Sequence, residues 1–295
     1  MAHRLGSAAN GTSAGQRLQF LLLRGLTYRL AFEVLGRRIL VDGLDELTSY
    51  KPHGGVIIVS NHRTFFDLFA ILLAMVHRDI AWTQTFSFPV RSRFFYDSPI
   101  GTLVNMGLGG GAMYPPIFRE TSKAAYNNAA VDYLTASLKQ PGHVVGIHPE
   151  GTRSRGADPY VLLPAQPGVG KIALQSGATV LPVFSAGLSN DLLGELKSTR
   201  SADGRHLRPI ILVFGKPIDY EDLRAKPPRL TLQKRAADRF MAHVEALMPR
   251  ERELRAACAA GEISDDDPAW LANHPVPHAA SALWQRSKAL AVRDR

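Results

Sequence analysis

The sequence predicts an α/β fold: a central, mostly parallel or mixed sheet flanked by helices. Three observations carry this. Aliphatic, largely β-branched runs of strand length stand at residues 38–41, 56–60, 144–147, 179–184 and 209–214. Longer apolar stretches suited to helices, at residues 65–77, 121–139, 168–176 and 231–248, alternate with them. At 295 residues and 45% hydrophobic content, the chain can bury one large core or two small ones, so these elements are expected to stack in layers.

Residues 1–15 are small and polar and predict a disordered start. Residues 16–36 set Arg17, Arg24 and Arg29 among Leu, Phe and Tyr. That pattern suits a basic amphipathic helix lying on an anionic membrane surface, and equally an ordinary amphipathic helix packed on the domain. Gly25 in its middle weakens either helix. The main domain is expected over residues 37–250. Gly54-Gly55 separates its first two strands, and residues 81–85 read as a further strand. Residues 86–116, rich in Gly, Pro and aromatics, read as loops with short helices, and Thr121 or Ser122 suits the cap of the helix that follows. Residues 251–295 form a Pro-containing tail of balanced charge, expected either to dock or to stay mobile.

Lys and Arg total 35 against 26 acidic residues, a formal net charge of +9, which favours anionic partners. Much of the excess lies in the first 40 residues, where Arg4, Arg17, Arg24, Arg29, Arg37 and Arg38 face only Glu33. The clusters at residues 91–93 and 200–208 accompany no recognised nucleic-acid motif, so no nucleic-acid partner is expected. The lone Cys258 excludes an intramolecular disulfide, and the chain opens on no cleavable leader pattern, so a cytosol-facing protein is expected. Outside residues 16–36, the longest charge-free apolar run is residues 68–76. It falls far short of the ~20 residues that span a bilayer, so no transmembrane helix is expected.

His62 follows a buried-strand pattern and Asp67 opens the next helix, which places both at a strand-to-helix turn. Five regular helical steps would set the side chains roughly 140° apart, so their pairing requires a turn. Given that turn, the carboxylate fixes one imidazole nitrogen and leaves the other as a base near neutral pH. A second segment, His148-Pro149-Glu150-Gly151-Thr152-Arg153-Ser154-Arg155, also follows a strand. Its Gly lets backbone approach closely, and Arg153 offers a planar fork to an anion.

Together, Asn61-His62-Arg63-Thr64-Phe65-Phe66-Asp67 and His148-Pro149-Glu150-Gly151-Thr152-Arg153-Ser154 resemble the two hallmark blocks of the glycerophosphate and lysophospholipid acyltransferases, NHxxxxD and FPEGTRS. Ile117-Phe118-Arg119 and Val180-Leu181-Pro182-Val183 resemble the family's other two blocks, and the similarity covers about residues 38–218. The resemblance implies an acyltransferase-like fold. It also implies that a fatty acyl chain passes from acyl-CoA or acyl-carrier protein to the hydroxyl of a lysophosphatidate-like acceptor, 1-acylglycerol-3-phosphate first, on the cytoplasmic face of a membrane. His62 would be the general base and Asp67 its orienter. Arg119, Glu150, Gly151 and Arg153 would bind the acceptor, with Thr152 and Ser154 adding donors. No cofactor is implied.

Three positions depart from that pattern: His148 replaces an apolar residue, Phe118 precedes Arg119 where an acid is usual, and Ala165-Gln166-Pro167-Gly168 lacks the usual basic residues. His62, Asp67, His148 and Glu150 are all metal-ligating types, but without close His spacing no metal is expected. Residues 11–15 match GxSxG with no strand before them, residues 107–112 read as a flexible substrate-site loop, and Ile172 spoils a phosphate-loop reading of residues 168–171. Two other readings stay open: an acyltransferase acting on another lysolipid or a glycolipid, and a non-catalytic peripheral membrane-binding protein.

Overall fold

A computed structural model of the chain describes residues 2–201, 203–227, 229–275 and 280–291. Its centre is a six-stranded sheet of β1 (Ile39–Asp42), β2 (Val56–Ser60), β3 (Thr85–Ser87), β4 (His143–Ile147), β5 (Thr179–Ala186) and β6 (Ile210–Phe214), in the order β1-β6-β5-β2-β4-β3. Neighbours are parallel except β5 and β6, which pair antiparallel. The mostly parallel, mixed α/β sheet that the sequence predicts is therefore the one observed. The single antiparallel step brings the ends of β2, β4 and β5 to the same edge as the beginnings of β1 and β6.

Strand side chains alternate between two cores, as a pleat requires. Val56 and Ile58 of β2 join one cluster, with α3 (Tyr28–Leu35) and α4 (Asp67–His77). Ile57 and Val59 join the other, with α7 (Gly168–Ser176) and α9 (Leu230–Glu245). Residues 70–77 of α4 are all buried, which explains a helix that is apolar all round rather than on one stripe.

Two termini differ from expectation. Residues 2–11 form α1 (Ala2–Gly11) instead of a disordered start, because the Asn10 amide donates both to Gly6 O and to Gly111 O across the fold, at 2.8 Å each. Gly110 and Gly111 have positive φ, and a Cβ on Gly110 would meet Gln19 Cα at 2.9 Å. Residues 107–112 thus seat the N-terminal helices. Residues 16–36 are helical but broken into α2 (Ser13–Leu22), a wider turn and α3. Arg24 turns inward, bonding Thr83 beneath Phe20, and Arg17 lies over Trp284. Of the three arginines of that segment, only Arg29 stays exposed, so the segment packs on the domain.

Packing on the sheet continues past residue 250. Helix α10 (Met248–Ala260) follows α9 after a break before Pro249, and residues 269–270 extend the sheet at β1, with Val41 N donating to Ala269 O at 2.8 Å. Trp270 is fully buried against Leu40, Ile211 and Cys258. Met1 and residues 276–279 and 292–295 of the expected start and tail lie outside the described residues. Among the described residues, no helix is long and apolar enough to cross a membrane.

Candidate active site

The loop after β2 is held from both ends. Asn61, fully buried, clamps the β5 backbone by donating to Ser185 O at 2.8 Å and accepting from Ser185 N at 2.9 Å. Residues 61–66 then supply the turn that the five-residue spacing demands. Asp67 accepts both bonds by which Thr64 braces it: Thr64 N donates to Asp67 Oδ2 at 2.8 Å and Thr64 Oγ1 to Oδ1 at 2.7 Å. Arg63 N adds a bond to Oδ2 at 2.7 Å, and His62 Nδ1 lies 3.2 Å from the same oxygen. The backbone donors thus pre-aim the carboxylate at the imidazole. Burial opposes ionisation of Asp67, but the bonds from His62 and Thr64 outweigh it and hold the carboxyl below its ordinary range. As acceptor-only, the ionised carboxylate fixes the proton of His62 on Nδ1 and leaves Nε2 as the basic nitrogen.

The segment after β4 grips this loop. Glu150, buried, accepts from His62 N at 2.6 Å and from Leu163 N at 2.8 Å, so both oxygens are committed. Burial raises its pKa against the pull of those bonds. Ser154 N donates to His62 O at 2.8 Å, and Ser154 Oγ accepts from Arg63 at 3.0 Å while donating to Val161 O. Glu150 and Ser154 thus brace the loop that carries His62. Gly151 has φ +66°, a left-handed conformation that disfavours a side chain, and its carbonyl accepts from Arg91 at 2.8 Å. Thr152 is exposed beside it, and Arg153 donates to Asn190 Oδ1 at 3.1 Å.

His148 lies against His62: the two rings stack with centroids 3.8 Å apart and planes 6° from parallel. Its Nδ1 lies 3.1 Å from the Ser60 hydroxyl and 3.2 Å from Ser60 O; a proton on Nδ1 satisfies the carbonyl, which only accepts. Burial, then the neighbouring His62, pushes the His148 pKa down to about 4, so the ring stays neutral at physiological pH. Ligand atoms of His62, Asp67 and His148 lie within 4.8 Å of one another. A metal at the usual ~2.0–2.1 Å from nitrogen must sit in each ring plane, and one ion cannot lie in two parallel planes 3.8 Å apart at their centroids. The stacked pair therefore does not fit a shared metal.

Arginines from three segments gather around Arg91. Arg91 feels the positive fields of Arg119, Arg153 and Arg155, which, after burial, lower its pKa. None of the four has a carboxylate ion-pair partner among the described residues. Such a cluster is an anion site in waiting. Sequence reasoning took Arg91 only as part of a charged run. Its place just after β3, at the sheet edge where His62 ends β2, is the signal that would have found it. Phe65 stacks with Phe69 and Phe95, at centroid distances of 5.8 and 5.5 Å, to make an apolar wall by the base loop, whereas Phe86 and Phe88 are core.

The family model for acyltransferases matches residues 38–186, from the lead-in to β1 to the end of β5 and including both loops just described. The chain belongs to the acyltransferase family. A relative, the 1-acyl-sn-glycerol-3-phosphate acyltransferase of Borreliella burgdorferi, is 25% identical over 170 residues, which span 57% of this chain and 58% of that protein's length. The crystal structure of the 1-acyl-sn-glycerophosphate (LPA) acyltransferase PlsC from Thermotoga maritima aligns with 81% of this chain and 82% of that one, at 16% identity and a TM-score of 0.47.

Proposed function

We propose that this protein moves a fatty acyl chain from an acyl thioester, carried by coenzyme A or acyl-carrier protein, to the hydroxyl of a 1-acylglycerol-3-phosphate-like acceptor. The observation that carries the reading is the His62–Asp67 pair, 3.2 Å apart, beside arginines with no carboxylate partner. In the proposed reaction the acceptor phosphate rests on Arg153 and Arg119, with Arg91 adding positive field. His62 Nε2 takes the hydroxyl proton as the oxygen attacks the thioester carbon. The C–S bond then breaks, and the proton passes from the imidazolium to the departing thiolate. Asp67 stabilises the imidazolium between those two events, and no covalent enzyme intermediate is required. The family membership and the name of the B. burgdorferi relative support this acceptor class.

The same reading places the protein at a membrane surface on the cytoplasmic face, where its acceptor resides. Leu26 and Leu30, 47% and 49% exposed, support that docking together with exposed Arg29, as do Ile100 and Leu103 of α5 (Pro99–Gly107), 71% and 72% exposed. The experiment is a panel of lysolipid and glycolipid acceptors offered with acyl-CoA and acyl-carrier protein, read by mass spectrometry. Acylation of 1-acylglycerol-3-phosphate to phosphatidate, lost in His62→Ala, is the expected result. Acylation confined to acceptors without a phosphomonoester would overturn the acceptor assignment.

A further inference from the structure

The single antiparallel step in the sheet has a chemical outcome. It brings Arg38, just before β1, and Arg208, just before β6, to the edge where the base loop ends β2. There they line a cavity of about 410 Å³ together with Arg63, Arg255, Ser185 and Asp67. Arg38 is neutralised by Glu195 at 2.6 Å, and Arg255 bonds Glu251 at 2.8 Å. Among the described residues, the Arg63 guanidinium bonds only neutral oxygens, and that of Arg208 only the Ser198 hydroxyl, at 3.0 Å. Asp67, the remaining carboxylate of the lining, sets one negative charge against these two arginines, so the cavity stays cationic. Two buried polar atoms of the lining residues, Arg38 Nε and Ser185 Oγ, have no partner among the described residues, and those residues are 2% and 1% exposed. Buried donors without partners mark where a ligand oxygen would be held.

Sheet order sets this cavity against the first arginine cluster. Arg91 follows β3 and Arg153 follows β4, on one side of β2, whereas Ser185 lies in β5 and Arg208 and Arg38 just precede β6 and β1 on the other, with Ala157 and Tyr160 completing the cavity's lining from the segment after β4. The base at the end of β2 stands between two cationic sites. A transfer between two phosphate-bearing substrates needs two such sites, one for each. The geometry points to the Arg63–Arg208 cavity as the site for the phosphate of the thioester donor's pantetheine arm, a group that coenzyme A and acyl-carrier protein share. This rests on the thioester-transfer reading above. The many rotatable bonds of the arm let its thioester reach the His62 side of Asp67 while the phosphate is held.

Arg208→Gln is the variant of choice, because Arg208 is exposed and gives up one hydroxyl contact, and a thermal melt matching the parent establishes its fold. Loss of a charge-assisted phosphate contact should weaken binding about tenfold. In calorimetry on the full chain, the Kd for coenzyme A should rise by that factor while the affinity for pantetheine, which lacks the phosphate, is unchanged. In initial rates the KM for acyl-CoA and for acyl-carrier protein should rise together, with the KM for 1-acylglycerol-3-phosphate unmoved. Ser185→Ala, which keeps the backbone that Asn61 clamps, should weaken coenzyme A binding in the same direction.

An unchanged Kd in both variants would overturn the inference, as would a rise in acceptor KM or a defect confined to acyl-CoA. Coenzyme A binding that depends on Arg208 in a protein transferring nothing to any lysolipid would sink the proposed function and leave the cavity assignment standing. Robust transfer with no such dependence would do the reverse.

Discussion

Replacing Asp67 with Asn isolates the charge of the carboxylate from its shape. Four donors converge on it: His62 Nδ1, the backbone N–H groups of Arg63 and Thr64, and the Thr64 hydroxyl. The amide oxygen of Asn can still take the three at Oδ2, but as neutral bonds, each weaker by about 1 kcal/mol than bonds to a charged acceptor, for roughly 3 kcal/mol in all. Its NH₂ end meets the Thr64 hydroxyl, which must turn to accept. The loop geometry should therefore survive while stabilisation of the imidazolium is lost. The kcat for thiol release from acyl-CoA should fall about 10²- to 10⁴-fold, the range for general acid–base catalysis and for the same exchange in serine proteases. The KM for acceptor should hold. A kcat within about threefold of the parent would refute the role of Asp67, since removal of an interaction made only in the transition state must lower kcat. The fold has its own signature. The carboxyl of Asp67 is depressed below its unfolded pKa of about 3.9, so its contribution to stability is complete above that value and is lost as pH falls through the folded pKa. Urea midpoints of parent and variant should differ at neutral pH and converge in strong acid.

Further outcomes follow from the same geometry. Glu150→Gln leaves either His62 N or Leu163 N without an acceptor and should cost about 1–3 kcal/mol in urea unfolding. Because burial raises the Glu150 pKa, the parent should lose stability as pH rises between the unfolded and folded values, and the variant should lack that slope. Arg153→Ala should raise the acceptor KM more than Arg119→Ala does, because Arg153 is anchored by Asn190; equal kinetics in both variants would remove the phosphate role. Gly151→Ala forces a side chain into a φ of +66° and should lower stability by about 1–2 kcal/mol, measured as a shift in Tm. Deleting residues 1–36 exposes the contacts of buried Phe20, Leu23 and Leu35, each worth about 1.5–3 kcal/mol, and should unfold the chain. Liposome binding is therefore better tested with Leu26→Asp and Leu30→Asp, which should weaken it without changing Tm.

The strands of the sheet were legible because β-branched runs buried on both faces leave a plain mark, and β2 fell at the expected residues. The short β3 was placed early, at residues 81–85, because three residues carry too little pattern to fix a boundary. The His62–Asp67 pair was legible because all its determinants lie within one loop. The role of Glu150 was not: a buried carboxylate whose two partners are backbone N–H groups from separate loops leaves no periodicity in the chain. Arg24 misled for a related reason, since an arginine facing inward to Thr83 and one facing lipid headgroups have the same helical spacing. Trp270 shows the limit in the other direction. Its tail reads as polar and broken, yet one aromatic ring against Leu40 ties it to the sheet.

The bonds from His62 to Glu150 and Ser154 make the two loops a single mechanical part. Residues 148–155 cannot be exchanged alone, because the incoming segment must present a carboxylate to His62 N and a backbone donor to His62 O. The transplantable unit is the pair of loops, and a chimera carrying only one of them inherits a base aimed by the wrong partner.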